Sequence, residues 1–420
     1  MENLKAIIRA KEIITGCKIS SKNGKHLKDE DFDSISNGAL VYSTKVISGK
    51  EIPHKIAWVG PTHLLPNEFK NISTLDLCLK QILIPGLIDC HTHLIFGGNR
   101  SSEFAERCKG VSYEEIASRG GGISATVHAT RQASENHLLD LAYKRARESY
   151  AFGVRTLEIK SGYGLSLESE LKLLRVIQKL QVQMPEMNFV STFLGAHAFP
   201  PECNNETEKS NYIDEIINTM LPLIAKENLA SICDVFIDRG YFSINQAKKI
   251  LRQAVQLGMK TKIHADELSN TESSALAVES TSLSADHLLQ ISENGINLIA
   301  NSETVAVLLP GTAFYLKTNQ APARALLNAG ATVALATDFN PGTCMTLSIP
   351  LILTFGALYL SMSKVELFAS VTYSAAKALG LEKQKGSLEI GKDADFTMLP
   401  YSNFEELYYG FGRVPPHLLS

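Results

Sequence analysis

Short apolar runs alternate with helical periods through the middle of the chain. Amphipathic helices are predicted at 168–180 and 244–257, between some of these runs. Gly258 follows the second helix and is typical of a helix C-terminus. The apolar runs cover residues 84–89, 154–159, 189–194, 235–237, 262–264, 282–286, 304–308 and 333–336. This alternation predicts a parallel sheet, and eight β/α units over about 250 residues match a closed (β/α)8 TIM-like barrel.

The two ends of the chain follow a different pattern. Extended segments punctuated by Gly, Asn and Pro occur at 6–14, 39–47 and 55–59, and residues 386–399 read as a strand, a turn and a second strand. The fold class is therefore α/β, with a small β-sandwich domain formed by the N- and C-terminal segments. We predict domain limits of 1–82 and 383–420 for the β-sandwich and 83–382 for the barrel. The tail at 409–417 lacks the apolar pattern of a closing strand.

Composition and charge favour a soluble globular protein with a small-molecule partner. Hydrophobic residues make up 45% and charged residues 20% of the chain, and 41 basic against 44 acidic residues give a net charge of −3. A chain without a basic field is not expected to bind nucleic acid or anionic membranes. The longest apolar stretch, at about 349–360, is shorter than the roughly 18 residues of a membrane span.

Cysteine usage and the N-terminus predict a cytoplasmic protein. The seven cysteines are scattered without a C-x-x-C pair, which is typical of reduced thiols. The first residues lack the unbroken apolar centre of a secretory signal. The glycine-rich run at 119–124 lacks the Gly-Lys-Ser/Thr ending of a phosphate loop, and we interpret it as a flexible loop before a helix, near the mouth of the barrel.

Two histidines follow the first predicted barrel strand. His91 and His93 are two residues apart, and residues at this spacing in an extended chain project to the same side. Barrel enzymes build their active sites at this end of the strands. An isolated H-x-H pair is a weak signal, but this position predicts two ligands of one metal ion.

Two further residues at predicted strand ends strengthen the metal interpretation. His264 ends the fifth strand and Asp338 follows the eighth. Strands one and eight are neighbours in a closed barrel, and strand five opens on the same mouth. We therefore expect His91, His93, His264 and Asp338 to hold one ion per subunit. Imidazole and carboxylate ligands suit Zn²⁺ and iron alike.

With these ligands in place, the sequence resembles the amidohydrolase superfamily. The resemblance narrows to its members that open an imidazolone ring in histidine degradation, and it covers about residues 82–399. It is carried by segments 96–100, 158–164, 193–197, 264–267 and 337–343. The resemblance implies a homodimer and the hydrolysis of 4-imidazolone-5-propanoate to N-formimidoyl-L-glutamate.

The resemblance also assigns roles to residues around the predicted metal. Asp338 is a candidate to take a proton from water, and Glu267 and His287 are candidates for proton transfer at the ring; their order stays open. Arg100 is expected to hold the propionate group of the substrate. The expected substrate contacts are Arg100, Tyr163, His197, Glu267, Asn340, Gly342 and Thr343.

Several alternatives stay open at this point. Lys160 raises the possibility of a carbamylated lysine that bridges two metals, although its surrounding segment resembles the single-metal branch. Asp286 is a candidate to orient His287. A deaminase of a nucleobase-like ring would also use His264 and Glu267. After the deaminase, the second alternative function is a barrel that binds metal or ligand without turnover.

Overall fold

Two separate sheets build the fold. The structure is a computed structural model that describes residues 3–111, 115–116 and 119–415. One sheet has eight strands and the other has six strands, which come from both ends of the chain. The predicted fold class, a barrel with a separate β part made from the two termini, is confirmed.

The eight-stranded sheet is the barrel. Its strands are parallel and neighbour each other in chain order. They are β6 (Leu87–Asp89), β7 (Val154–Lys160), β8 (Asn188–Ala196), β9 (Ile232–Phe236), β10 (Lys260–Ala265), β11 (Ser284–His287), β12 (Val305–Leu308) and β13 (Val333–Leu335). All eight predicted strands are present, with ends that differ by a few residues.

The barrel closes where the chain runs past β6 and β13. The backbone N–H of Asp338 donates to the carbonyl of His91 at 3.0 Å, and the N–H of His93 donates to the carbonyl of Phe339 at 2.9 Å. Beneath them, the carboxylate of Asp89 accepts hydrogen bonds from the Thr337 N–H at 3.1 Å and the Thr337 hydroxyl at 2.6 Å. Residues predicted as metal ligands thus also close the barrel.

Amphipathic helices cover the outside of the barrel. The two predicted helices are confirmed as Leu167–Gln183 and Ile244–Gln256, and Ser243 and Gln246 form a capping box at the start of the second. The other α-helices are Cys17–Ser21, Ser101–Cys108, Ile123–Gln132, Glu135–Ala151, Glu206–Glu215, Leu221–Lys226, Ser273–Glu279, Glu293–Ala300, Pro310–Leu316, Ala323–Ala329, Ile349–Tyr359, Lys364–Ser370, Tyr373–Lys377 and Glu405–Tyr409. A π-helical turn at Ile216–Met220 and 3-10 turns at Asp29–Asp31, Thr62–Leu64 and Asn67–Phe69 complete the helical elements of the described ranges. Within those ranges, no helix combines the length and apolar character needed to cross a bilayer.

The terminal segments form one mixed sheet. The strands are β1 (Asn3–Ile14), β2 (Ser34–Ile47), β3 (Lys50–Pro61), β4 (Ser73–Asp76), β5 (Ile82–Pro85) and β14 (Phe396–Leu399). Strand β1 pairs with β2 along one edge, where the register shifts between Ile7 and Ala10, and with β4 and then β5 along the other. Strand β14 pairs antiparallel with β5, which ties the two ends of the chain together.

Gly86 marks the passage from this sheet into the barrel. The sequence predicts one strand at 84–89, but the structure divides it into β5, in the terminal sheet, and β6, in the barrel. A Cβ atom on Gly86 would lie 2.4 Å from Asp395 and 2.7 Å from Arg155. The glycine therefore lets the two sheets approach closely at this point. The domain limits at 82 and 383 stay predictions.

The C-terminal prediction is only half right. Of the strand, turn and strand predicted at 386–399, the second strand forms as β14, whereas 386–393 form no strand. The isolated bridge of Asp393 to Lys55 is the nearest equivalent. Beyond β14 the chain packs a short helix against the barrel, and its described part up to residue 415 contains no closing strand. The last residues of the 409–417 tail lie outside the described ranges.

Candidate active site

His91 and His93 lie just beyond β6 at the mouth of the barrel. Both side chains are buried, and their ring centroids are 5.4 Å apart. Burial lowers the pKa of both imidazoles well below its usual value, so both rings are neutral at neutral pH. Neutral imidazole is the form that binds a metal ion.

His264 brings a third ring to the same place. It lies in β10, and its ring centroid is 4.6 Å from that of His91 and 5.6 Å from that of His93. One ring nitrogen of each histidine lies within 4.8 Å of the others. The Nε2 atoms of His91 and His264 are buried and have no hydrogen-bond partner among the described residues. Buried polar atoms are normally paired, so these nitrogens fit a site for a cation.

Asp338 completes this group from the end of β13. Its Oδ1 lies 3.5 Å from Nε2 of His91 and 3.6 Å from Nε2 of His93, while Oδ2 accepts a hydrogen bond from Thr312 at 2.6 Å. The φ angle of Asp338 is 51°, in the left-handed region that costs a non-glycine residue about 1 kcal/mol. The structure therefore brings the four predicted ligands together and maintains one of them in a strained conformation.

Two buried carboxylates contact the far side of the histidine cluster. Asp286 Oδ2 lies 2.6 Å from Nδ1 of His91, and Asp234 Oδ2 lies 3.0 Å from Nδ1 of His264, although not at the angle of a hydrogen bond. The prediction that Asp286 orients His287 is wrong. The Asp286 side chain contacts His91. The backbone of His287 has a φ of 78°, which is not extended, and its side chain lies next to Glu267.

A buried charge network lies next to these carboxylates. Lys160 Nζ donates to Asp234 at 2.7 Å and to Glu158 at 3.1 Å, and Lys262 Nζ lies 2.9 Å from Glu158 and 3.3 Å from Asp286. All five side chains are fully buried. The two carboxylates around Lys160 disfavour a carbamate on it, because a carbamate would be an anion among anions.

Glu267 and His287 lie together at the edge of the cluster. His287 Nδ1 is 3.5 Å from Glu267 Oε1. Burial raises the pKa of Glu267 well above its usual value, and the negative charges of Asp338 and Asp238 raise it further. Asp238 also accepts a hydrogen bond from the backbone of Leu268 at 2.8 Å, which fixes the loop that carries Glu267. These surroundings favour the protonated form of Glu267, which can donate a hydrogen bond or a proton.

A cavity of about 480 Å³ opens from this cluster, and His93, His264 and Asp338 form part of its wall. All seven predicted substrate contacts line it: Arg100, Tyr163, His197, Glu267, Asn340, Gly342 and Thr343. The His197 ring stacks on His93 at a centroid distance of 4.9 Å, and the Tyr163 ring lies 5.4 Å from His197. The cavity therefore joins a metal-type cluster, a wall of aromatic rings and an arginine.

Asn340 also has a structural part in the cavity wall. Its Oδ1 accepts hydrogen bonds from the backbone N–H of Gly342 at 2.9 Å and of Thr343 at 2.7 Å. Its side chain thus shapes the turn at 340–343, which presents backbone groups to the cavity.

Several residues that line the cavity or support it were not predicted from the sequence. Arg107, Phe236 and Tyr241 line the cavity, and Lys262 and Asp234 belong to the buried charge network. A signal was available for one of these, because Lys262 is two residues from His264 and faces the same side of β10. Nothing in the local pattern marks Arg107, which lies on the helix Ser101–Cys108 outside the barrel strands.

Comparisons with known proteins agree with this geometry. The model of the Amidohydrolase family matches residues 82–412. A protein of Bdellovibrio bacteriovorus named imidazolonepropionase is 42% identical, with 94% of this chain and 90% of the relative covered. Imidazolonepropionases of Alkaliphilus oremlandii (47% identical; 79% and 78% covered) and Acinetobacter baumannii strain AB0057 (42%; 97% and 97%) are also similar.

Solved structures show the same fold at low identity. Triazine hydrolase from Arthobacter aurescens has a TM-score of 0.71 at 16% identity, with 96% of this chain and 88% of that chain covered. Ochratoxinase of A. niger has a TM-score of 0.69 at 17% identity, with 98% and 92% covered. Because the family match spans most of the chain and the relatives exceed 40% identity, the chain belongs to the amidohydrolase family and, within it, to the imidazolonepropionases.

Proposed function

We propose that this protein opens the ring of 4-imidazolone-5-propanoate with water to give N-formimidoyl-L-glutamate, a step of L-histidine degradation. One observation carries the proposal: a single cavity joins His93, His264 and Asp338 to Arg100. A substrate with a hydrolysable ring at one end and a carboxylate at the other matches this arrangement. The name of the similar proteins, imidazolonepropionase, supports the same reaction.

We infer that His91, His93, His264 and Asp338 hold one Zn²⁺ or iron ion per subunit. The buried, unpaired Nε2 atoms of His91 and His264 and the nearby Asp338 carboxylate fit such an ion. When bound, the ion supplies Lewis-acid chemistry that makes water nucleophilic near neutral pH. The pairing of Lys160 with two carboxylates favours one ion rather than a bridged pair.

Arg100 is the proposed partner of the substrate propionate. Its Nε donates to Glu103 at 2.8 Å, and its side chain is only 10% exposed. The terminal N–H groups of a guanidinium fixed in this way can bind a carboxylate through charge-assisted hydrogen bonds. We propose that Tyr163 and His197, which line the cavity, contact the ring part, and that the turn with Gly342 and Thr343 contacts the substrate through its backbone.

Three residues divide the proton transfers in this proposal. Asp338 accepts a proton from the attacking water as the C–O bond forms at the ring carbonyl carbon. Glu267, whose protonated form is favoured by burial, donates to the ring nitrogen as the C–N bond breaks. The proton held by Asp338 then returns to Glu267 before the next turnover, and we propose that His287, 3.5 Å from Glu267, relays it.

The direct test uses purified protein and freshly generated imidazolonepropanoate. We expect loss of the substrate's ultraviolet absorbance, suppression by a chelator, and one metal atom per chain by elemental analysis. Two metal atoms per chain would contradict the single-ion site. Release of ammonia from cytosine or guanine instead would favour a deaminase. A metal-loaded protein that turns over none of these compounds would indicate a non-catalytic binding barrel.

We also propose that the protein is a cytoplasmic homodimer. Phe314, Leu358 and Tyr359 lie on the helices Pro310–Leu316 and Ile349–Tyr359 and are 51%, 68% and 53% exposed. Exposed apolar patches of this kind often mark protein interfaces. Sedimentation should therefore give twice the chain mass of 45.9 kDa, and a mass of one chain would contradict the dimer.

A further inference from the structure

We propose that Arg107 is a second cation at the carboxylate end of the cavity and that it sets the preference for an acidic over a neutral substrate. The inference rests on the proposed function, because it concerns the same cavity. Arg107 lies on the helix Ser101–Cys108, and its side chain lines the cavity together with Arg100. No motif of the sequence pointed to this residue, and only the folded chain brings it to the site.

Both guanidinium groups lie against Gly342. Nη1 of Arg107 donates to the Gly342 carbonyl at 3.1 Å. Nη1 of Arg100 lies 2.3 Å from the point where a Cβ atom would stand on Gly342. The absence of a side chain at this residue therefore lets the Arg100 guanidinium rest on the backbone, and the two cations meet at one residue of the turn.

The charges at this end of the cavity do not balance within the described chain. Arg100 is paired with Glu103, whose carboxylate also accepts from the Gly122 N–H at 3.2 Å. In the described ranges Arg107 pairs with no carboxylate. Its contacts there are the Gly342 carbonyl and the ring of Tyr315, whose centroid is 5.5 Å from the guanidinium carbon. One net positive charge is left, which matches the single carboxylate of the proposed substrate.

A structural role for Arg107 predicts a different behaviour. If Arg107 only holds the turn at Gly342, its loss would weaken acidic and neutral ligands equally. If Arg107 supplies charge, its loss would weaken the acidic ligand selectively, because Coulomb attraction acts only on the charged one. The ratio of the two affinities separates these roles.

The test compares imidazole-4-propanoate with its primary amide, which differ in charge but keep the same ring. Isothermal titration calorimetry measures the Kd of each for the metal-loaded protein. We expect the wild type to prefer the acid and Arg107→Gln to reduce that preference about tenfold, the scale of a charge-assisted hydrogen bond. Arg107→Lys should retain part of the preference. Arg175→Gln, which removes an exposed helix arginine paired with Glu227, should leave it unchanged.

Three results would overturn the inference: no preference in the wild type, an unchanged ratio in Arg107→Gln, or an equal loss of both affinities. The measurement uses stable ligands and does not depend on turnover. A protein that fails to open imidazolonepropanoate but shows the expected ratios would overturn the proposed function and leave the role of Arg107 standing.

Discussion

The Oδ2 atom of Asp286 lies 2.6 Å from Nδ1 of His91, and both side chains are fully buried. Since Nδ1 is occupied by this contact, Nε2 is the nitrogen that faces Asp338. A carboxylate behind a histidine fixes the ring and makes it a stronger ligand. Lys262 lies 3.3 Å from the same Asp286 oxygen, so the orientation of His91 is linked to the buried charges beneath the site.

Replacing Asp286 by Asn should weaken metal binding. Asn keeps the shape and can accept from His91, but it removes the charge that strengthens the ligand. We expect affinity for Zn²⁺ to fall about 10- to 100-fold, measured by competition with a chelator of known affinity. Asp31→Asn, at a buried aspartate of the terminal segment paired with Lys22, is the matched control. Equal metal affinity in Asp286→Asn and the wild type would show that Asp286 does not support the site.

Replacing Glu267 by Gln tests the proposed proton donor. Burial and the charges of Asp338 and Asp238 raise the pKa of Glu267, so Gln closely resembles the protonated form but cannot release a proton. We expect kcat to fall about 10²- to 10⁴-fold, while metal content and Tm stay near wild type.

The pH profile gives a second test of the same role. In the wild type, kcat should decline as the pH rises through the raised pKa of Glu267. The exposed Glu227→Gln serves as control, and a kcat within about twofold of wild type in Glu267→Gln would exclude the role.

The cluster of three histidines and Asp338 and the barrel were predictable from the sequence, because both follow from local periodicity and from the order of the strands. His91 and His93 are separated by the period of an extended chain, and the topology of a closed barrel then brings His264 and Asp338 to the same mouth. Once the strands are assigned, their carboxyl ends must meet. The positions of these side chains therefore follow from the order of the strands along the sequence.

The partners of the cluster were not predictable in the same way. Asp286 and His287 are neighbours in sequence, yet Asp286 contacts His91, and His287 contacts Glu267, because the backbone of His287 has left the strand conformation. Arg107 reaches the cavity only through the path of a loop and helix beyond β6. Such contacts depend on three-dimensional packing that no local period encodes.

Asp89 should make the metal-free protein less stable as pH rises. Burial raises the pKa of Asp89 to about 7, although hydrogen bonds from Thr337 lower it. An unfolded chain loses this proton near pH 4, whereas the folded chain keeps it to about pH 7, so the folded state binds more protons between these values. The free energy of unfolding should therefore fall with pH, by up to about 1.4 kcal/mol per pH unit from this group.

Denaturant titrations of the wild type and Asp89→Asn in chelator check this sign. The stability difference, wild type minus variant, should decrease from pH 4 to pH 7. Asp31→Asn is the opposite case, because hydrogen bonds from Lys22 and the Lys28 backbone outweigh burial and lower the pKa of Asp31. There the wild type should gain stability relative to the variant as pH rises toward 4. Parallel curves for wild type and Asp89→Asn would refute a raised pKa at Asp89.

Gly342 and Arg100 should act on the substrate as one unit. A methyl group on Gly342 would lie 2.3 Å from Nη1 of Arg100, so Gly342→Ala must displace the guanidinium. We expect Gly342→Ala to raise KM for imidazolonepropanoate about tenfold, and Arg100→Met to raise it about 100-fold, the effect of losing a charged hydrogen bond. Gly410→Ala is the control, because the nearest atom to a Cβ at that position would be 3.4 Å away.

A double variant tests whether Gly342→Ala acts only by moving Arg100. If it does, the double variant Gly342→Ala/Arg100→Met should have the same KM as Arg100→Met alone, since the effects of coupled residues are not additive. Independent, multiplying effects on KM would show that Gly342→Ala acts through the backbone contact of Gly342 with the substrate and not by moving Arg100.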